Sequence, residues 1–285
     1  GIGLVAGLML NFFFIGLLYL INNKISNINE IERAIDIPVL GTIPISTSPT
    51  HDPFHFTENP KSRVSESIRT LRTNLDFFAS GNGKKVIAIS STISGEGKSF
   101  IAANLGGVLA LSNKKVVLLD LDMRKAKENN PFEIADRSKG VSTVLIRKNK
   151  WEDCIVKTKL AHFDYLPSGP HPPNPSELLL NGEFSQLLED LKKEYDFVVM
   201  DTPPVGLVTD GIMAMRQADL SIYVVRANYS KKEFLKVLQR VIRINKLTKT
   251  AVVLNALPSS GKTYGENYYH EDTSANSLWR KIRKA

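Results

Sequence analysis

The stretch KKVIAISSTISGEGKS (84–99) decides the fold. Its first half is an apolar run, Val86 to Ile89, bounded by lysines and serines, and reads as a strand buried on both faces. Its second half sets Gly95 and Gly97 ahead of Lys98 and Ser99, and the residues from Gly97 to Leu111 read as a helix. Strand, glycine-bearing turn and helix in that order are the context a phosphate-binding loop requires. The glycines let backbone N–H groups approach phosphate oxygens, and the helix N-terminus favours the anion. Lys98 is then the cation for the outer phosphates and Ser99 the hydroxyl for a magnesium ion. One position departs from the usual pattern: Thr92 stands where the first glycine is expected.

Outward from this loop, further strands follow the same plan. KVVLLD (115–120), YDFVVMD (195–201), LSIYVV (220–225) and TAVVLN (250–255) are apolar on both faces and alternate with helical stretches, among them 62–78 and 231–245. Such alternation predicts an α/β fold, a three-layer sandwich with a mainly parallel sheet covered on both sides. VVLLDLDMR (116–124) ends its strand with Asp120 and Asp122, and FVVMDTPP (197–204) ends another with Asp201. In an open α/β sheet, ligands sit beyond the carboxyl ends of the strands, so these three acids share a crevice with the loop. Acids there hold magnesium or take a proton from an attacking hydroxyl.

The 285 residues carry 37 basic and 29 acidic side chains, a net charge of +8. The basic residues are dispersed, which argues against nucleic acid as a partner. The single cysteine, Cys154, excludes an intramolecular disulfide framework, and the five histidines lack zinc-ligand spacing. From Gly1 to Ile21 there is no charged side chain, so residues 1–22 read as a transmembrane helix. Residues 23–60, interrupted by five prolines, read as a juxtamembrane connector with His51 and His55 solvated. The nucleotide-binding domain is then 61–257, and 258–285 is a flexible tail bearing Tyr264, Tyr268 and Tyr269.

Together these residues resemble the bacterial tyrosine kinases that act with capsular and exopolysaccharide export. TISGEGKS is similar to their Walker A, VVLLDLDMR to their Walker A′ and FVVMDTPP to their Walker B. ESIRTLRTNL, with Glu66, Arg69 and Arg72, resembles the family's oligomerisation motif; an intrahelical Glu–Arg ladder explains the same spacing. LPSGPHPPNPSELL (166–179) and the tail tyrosines have counterparts as well. The related partitioning ATPases carry a lysine five residues before the loop lysine; Ile93 stands there in this chain.

The resemblance implies an ATP- and Mg²⁺-dependent kinase that phosphorylates Tyr264, Tyr268 and Tyr269 on a neighbouring copy within a ring-like homo-oligomer. It implies an inner-membrane protein with its kinase domain in the cytoplasm, working with polysaccharide polymerase and export machinery and a cognate tyrosine phosphatase. The residues implied for nucleotide binding are Ser94, Gly95, Glu96, Gly97, Lys98, Ser99 and Phe100; Asn255 is placed near the base by its position at the end of the last strand, not by the resemblance. Magnesium falls to Ser99, Asp122 and Asp201, and catalysis to Lys98, Asp120, Asp122 and Asp201. Asp120 is the candidate for the tyrosine proton on resemblance alone, since the residues do not separate it from Asp122. A nucleotide switch or scaffold without useful kinase activity is the other function open to this sequence.

Overall fold

The computed structural model describes residues 3, 7, 9–13, 23–46, 52–78, 85–124 and 132–258. In chain order the elements are α1 (Ile28–Ala34), β1 (Val39–Pro44), α2 (His55–Glu58), α3 (Arg63–Phe78), β2 (Lys85–Ser91), α4 (Lys98–Leu111) and β3 (Val116–Asp120). There follow α5 (Val141–Leu145), β4 (Val156–Lys157), β5 (Phe163–Leu166), α6 (Pro175–Leu180), α7 (Gly182–Glu194) and β6 (Phe197–Asp201). The described chain closes with α8 (Asp210–Gln217), β7 (Leu220–Arg226), α9 (Glu233–Asn245) and β8 (Thr250–Leu257).

The strands form one sheet in the order β1-β8-β7-β2-β6-β3-β5-β4, parallel throughout except where β4 meets β5. Side chains alternate across the pleat and feed two cores. Val86, Ala88, Val117, Leu119, Val198 and Met200 face a layer that includes α7, α8 and α9. Ile87, Ile89, Val116, Leu118 and Val199 face α3 and α4. The expected three-layer sandwich is therefore present.

The domain starts earlier than the sequence reading has it. Residues 23–60, read as a connector, supply α1, the edge strand β1 and α2. Asn27 caps α1 by accepting from the Glu30 N–H at 3.2 Å, while the Glu30 carboxylate accepts from the Ser26 N–H at 2.8 Å. That reciprocal pair satisfies donors a helix start leaves open. β1 runs parallel to β8, and α3 lies so close over it that a Cβ on Gly41 would meet Leu71 Cδ2 at 2.7 Å. His55 is 1% exposed rather than solvated. Its N–H donates to Asn104 Oδ1 at 2.7 Å, and burial holds its imidazole below the ordinary histidine range against the pull of Glu58.

Most of the span read at 1–22 lies outside the described residues, and among the described residues no helix is long and apolar enough to cross a membrane. The tail tyrosines Tyr264, Tyr268 and Tyr269 also lie outside them.

Candidate active site

The loop between β2 and α4 takes the shape its glycines permit. Gly95 and Gly97 have φ of +84° and +99°, in the left-handed region that side chains resist. Gly97 leaves no room for a side chain: its Cβ would stand 2.1 Å from Asn255 Nδ2. Lys98 opens α4 and is 9% exposed. Thr92 fits where glycine was expected because its Oγ1 lies 2.5 Å from the Tyr223 hydroxyl, and its carbonyl accepts from the Gly206 N–H at 3.0 Å.

The three acids gather as the sheet order dictates. β3 and β6 are neighbours, and their register sets Asp120 opposite Asp201 at the carboxyl ends. β6 also pairs with β2, which carries the loop. Ser99 Oγ donates to Asp201 Oδ2 at 2.5 Å, joining the first turn of α4 to the end of β6. Asp120 is 1% exposed, accepts from the Asp122 N–H at 3.1 Å and lies 3.3 Å from the Tyr165 hydroxyl. Asp122 is half-buried and is the more accessible of the two. Phe100 is also half-buried and packs on the α3–α4 core.

Among the described residues no three histidine, cysteine or acidic side chains cluster to hold a metal by themselves. The donor set is one hydroxyl and carboxylates on adjacent strand ends. Hard oxygen donors in that number suit magnesium, which keeps waters and shares phosphate oxygens rather than filling its shell from protein.

Side-chain contacts that no motif announces hold the loop from behind. Glu96 is fully buried, accepts from the Ile93 N–H at 2.9 Å and hydrogen-bonds the Ser230 hydroxyl. Burial pushes its carboxyl above the ordinary range, against Ser230, the Ile93 N–H and Lys98. Asn255, expected near the base, donates from Nδ2 to the Glu96 carbonyl at 2.9 Å and so braces the loop.

Beyond Asp122, Arg124 makes a forked contact with Asp210, Nε to Oδ2 at 2.7 Å and NH2 to Oδ1 at 3.0 Å. Ser176 Oγ joins them, donating to Asp210 Oδ1 at 2.5 Å. Burial alone would raise the Asp210 carboxyl, but Arg124 and Ser176 override it and hold it below the ordinary range. No spacing in the chain announces this node, because its members stand 34 to 86 positions apart.

On the E-x-x-R-x-x-R face of α3, Glu66 is exposed and Arg69 and Arg72 are half-buried. Arg69 pairs with Glu66 at 2.5 Å and donates to the Pro60 carbonyl at 2.9 Å, whereas Arg72 turns to Asp76 at 3.5 Å. The ladder is thus formed between Glu66 and Arg69, and exposed pairs of this kind add little stability.

A parallel sheet, a glycine-bearing loop before a helix and acids at adjacent strand ends define a nucleotide-binding protein of the P-loop class. The family described as an AAA domain matches residues 84–254. The tyrosine-protein kinase YwqD of Bacillus subtilis is 39% identical over 174 residues, 61% of this chain and 73% of that protein. The tyrosine-protein kinase CpsD of Streptococcus agalactiae is 31% identical over 212 residues, 74% of this chain and 92% of that one. The solved kinase domain of the Escherichia coli tyrosine kinase ETK superposes with a TM-score of 0.75 at 29% identity, covering 82% of this chain and 95% of that domain. The chain belongs to the bacterial tyrosine kinases.

Proposed function

We propose that this chain is an ATP-dependent protein tyrosine kinase whose substrates are Tyr264, Tyr268 and Tyr269 of neighbouring copies. The observation that carries the reading is the Ser99–Asp201 contact with Asp120 in register beside it. This sets a hydroxyl and two carboxylates beside the mouth of a phosphate-binding loop. The tyrosine oxygen attacks the γ-phosphorus, the bond to the β–γ bridging oxygen breaks and ADP leaves. Lys98 and the loop N–H groups fix the phosphates and offset their charge. Asp120 receives the phenolic proton, its carboxylate oriented by the Asp122 N–H and Tyr165. A magnesium ion held by Ser99, Asp122 and Asp201 would supply further charge neutralisation at the phosphates.

The wider setting rests on the family. The protein regulates polymerisation and export of a capsular or exopolysaccharide, from the inner membrane, with a tyrosine phosphatase as its counterpart. The membrane reading draws support from Met9, Leu10, Phe12 and Phe13, each 64–73% exposed, since such side chains call for an apolar surrounding. The reading is tested by incubating the full chain in detergent with Mg-ATP and mapping phosphate by peptide mass spectrometry. Phosphate on Tyr264, Tyr268 or Tyr269 is expected. ATP binding with no phosphotyrosine favours the switch or scaffold function instead.

Delivery of the tail in trans assigns the Glu66–Arg69–Arg72 face of α3 to the contact between copies. Arg69→Ala with Arg72→Ala is expected to leave ATP affinity within about twofold, since both arginines bond within α3 and the segment before it rather than to the phosphate-binding loop. The same variant lowers both oligomer size and autophosphorylation. Light scattering that gives an unchanged mass removes this role.

A further inference from the structure

Four consecutive carbonyls of the phosphate-binding loop are each tied down by a side chain. Ser91 Oγ donates to the Ile93 carbonyl at 2.8 Å, and the Tyr229 hydroxyl to the Ser94 carbonyl at 3.1 Å. Arg226 NH1 donates to the Gly95 carbonyl at 2.9 Å, and Asn255 Nδ2 to the Glu96 carbonyl at 2.9 Å. In a planar trans peptide the C=O and the next N–H point in opposite directions. Anchoring each carbonyl therefore fixes the N–H groups of Ser94, Gly95, Glu96 and Gly97 away from these side chains. A run of N–H groups converging on one side is an anion-binding nest.

Two of the four anchors belong to the single turn that begins at the last residue of β7. Arg226 stacks over the Tyr229 ring with its guanidinium carbon 5.1 Å from the centroid. Asn228 takes the left-handed conformation, φ 56°, that brings Tyr229 back toward the loop. Ser230 closes the turn by accepting from the Arg226 N–H at 2.8 Å and meeting Glu96 from behind. Without these anchors the loop peptides are free to flip, because Gly95 and Gly97 place little restriction on φ.

We infer that Arg226 and Tyr229 are positioning residues for nucleotide phosphate, acting through the peptide planes of the loop rather than by touching the ligand. The inference deepens the proposed kinase site and rests on its being a nucleotide site. It separates two classes of ligand: nucleotides that carry a β-phosphate feel the orientation of the nest, and AMP feels it far less.

The experiment measures binding of fluorescently labelled ADP and AMP to the full chain, wild type and variants. Tyr229→Phe keeps the ring and loses the donor, and Arg226→Met keeps the stem and loses the guanidinium. Each is expected to weaken ADP about fivefold, as the loss of one hydrogen bond implies. AMP should stay within about twofold and the thermal midpoint should not move. Arg226→Lys, which restores a donor, should recover most of the ADP affinity. Equal losses for both nucleotides, or no loss for either, would overturn the inference. A wild-type chain that binds neither ADP nor ATP would instead overturn the nucleotide site itself.

Discussion

Lys98→Met is expected to yield a folded protein that binds ATP weakly and transfers almost no phosphate. The fold survives because α4 is held by Ile101, Ala102, Leu105 and Leu109, all in the core and untouched by the change. Methionine also keeps most of the buried stem of a residue that is only 9% exposed. What disappears is a cation at the helix N-terminus, beside the position where negative charge is redistributed during transfer. Removing one preorganised partner of that kind costs about 10²- to 10³-fold in rate. Binding falls less, because the loop N–H groups and Ser99 remain. Single-turnover phosphorylation followed by phosphotyrosine detection measures the rate, and nucleotide titration measures the affinity. A variant retaining a tenth of the wild-type rate would remove Lys98 from the catalytic set. The substitution also acts on Glu96, whose buried carboxyl is raised by burial and drawn partly back by Lys98. Without that cation Glu96 moves further above the ordinary carboxylate range.

The parts of this site that were legible in the sequence are those written in contiguous stretches. Strand, loop and helix lie within residues 85–111, and the acids close apolar runs that can only be buried strands. β1 is not legible because VLGTIP is short, carries Gly41, follows Pro38 and ends on Pro44. On an edge strand those prolines are tolerated, since one side of the backbone has no partner to bond. His55 was misread for a related reason. A Pro-rich stretch suggests solvent, yet Phe54 and Phe56 press against Gly107 of α4, where a Cβ would stand 2.8 Å from either ring. That contact needs the helix to be in place before it can be seen. The anchors of the loop were hidden by distance along the chain. Tyr229 and Ser94 are 135 positions apart, and only the β7–β2 pairing brings their elements together.

The segment 166–179 stands out in the sequence by resemblance alone, and its packing explains why its glycine matters. Gly140 and Gly169 pass each other so closely that a Cβ on Gly140 would lie 2.4 Å from both the Gly169 nitrogen and the Pro167 carbonyl oxygen. The two segments are zipped together by the Val141 N–H on the Pro167 carbonyl at 2.8 Å and the Ser142 N–H on the Ser168 carbonyl at 2.9 Å. Ser142 Oγ adds a bond to the Pro170 carbonyl at 2.7 Å. Gly140→Ala sets a methyl group against backbone on both sides, where no side chain can swing away. The expected destabilisation is about 3 kcal/mol or more, at the upper end for overpacking. Gly182→Ala is the control, because nothing lies within 4 Å of its Cβ and alanine suits the start of α7. That control should be neutral or slightly stabilising in a denaturant titration. The same contact reaches the active site. His171 Nδ1 lies 2.5 Å from the Met123 carbonyl, and Ser176 carries the segment to Arg124 and Asp210. Forcing the two glycines apart therefore displaces the strand end that presents Asp120 and Asp122. Gly140→Ala is expected to lose kinase activity at temperatures where circular dichroism still reports a folded sheet. A variant with wild-type stability would mean that the backbone segments separate freely, and that the 166–176 stretch does not hold the acids in place.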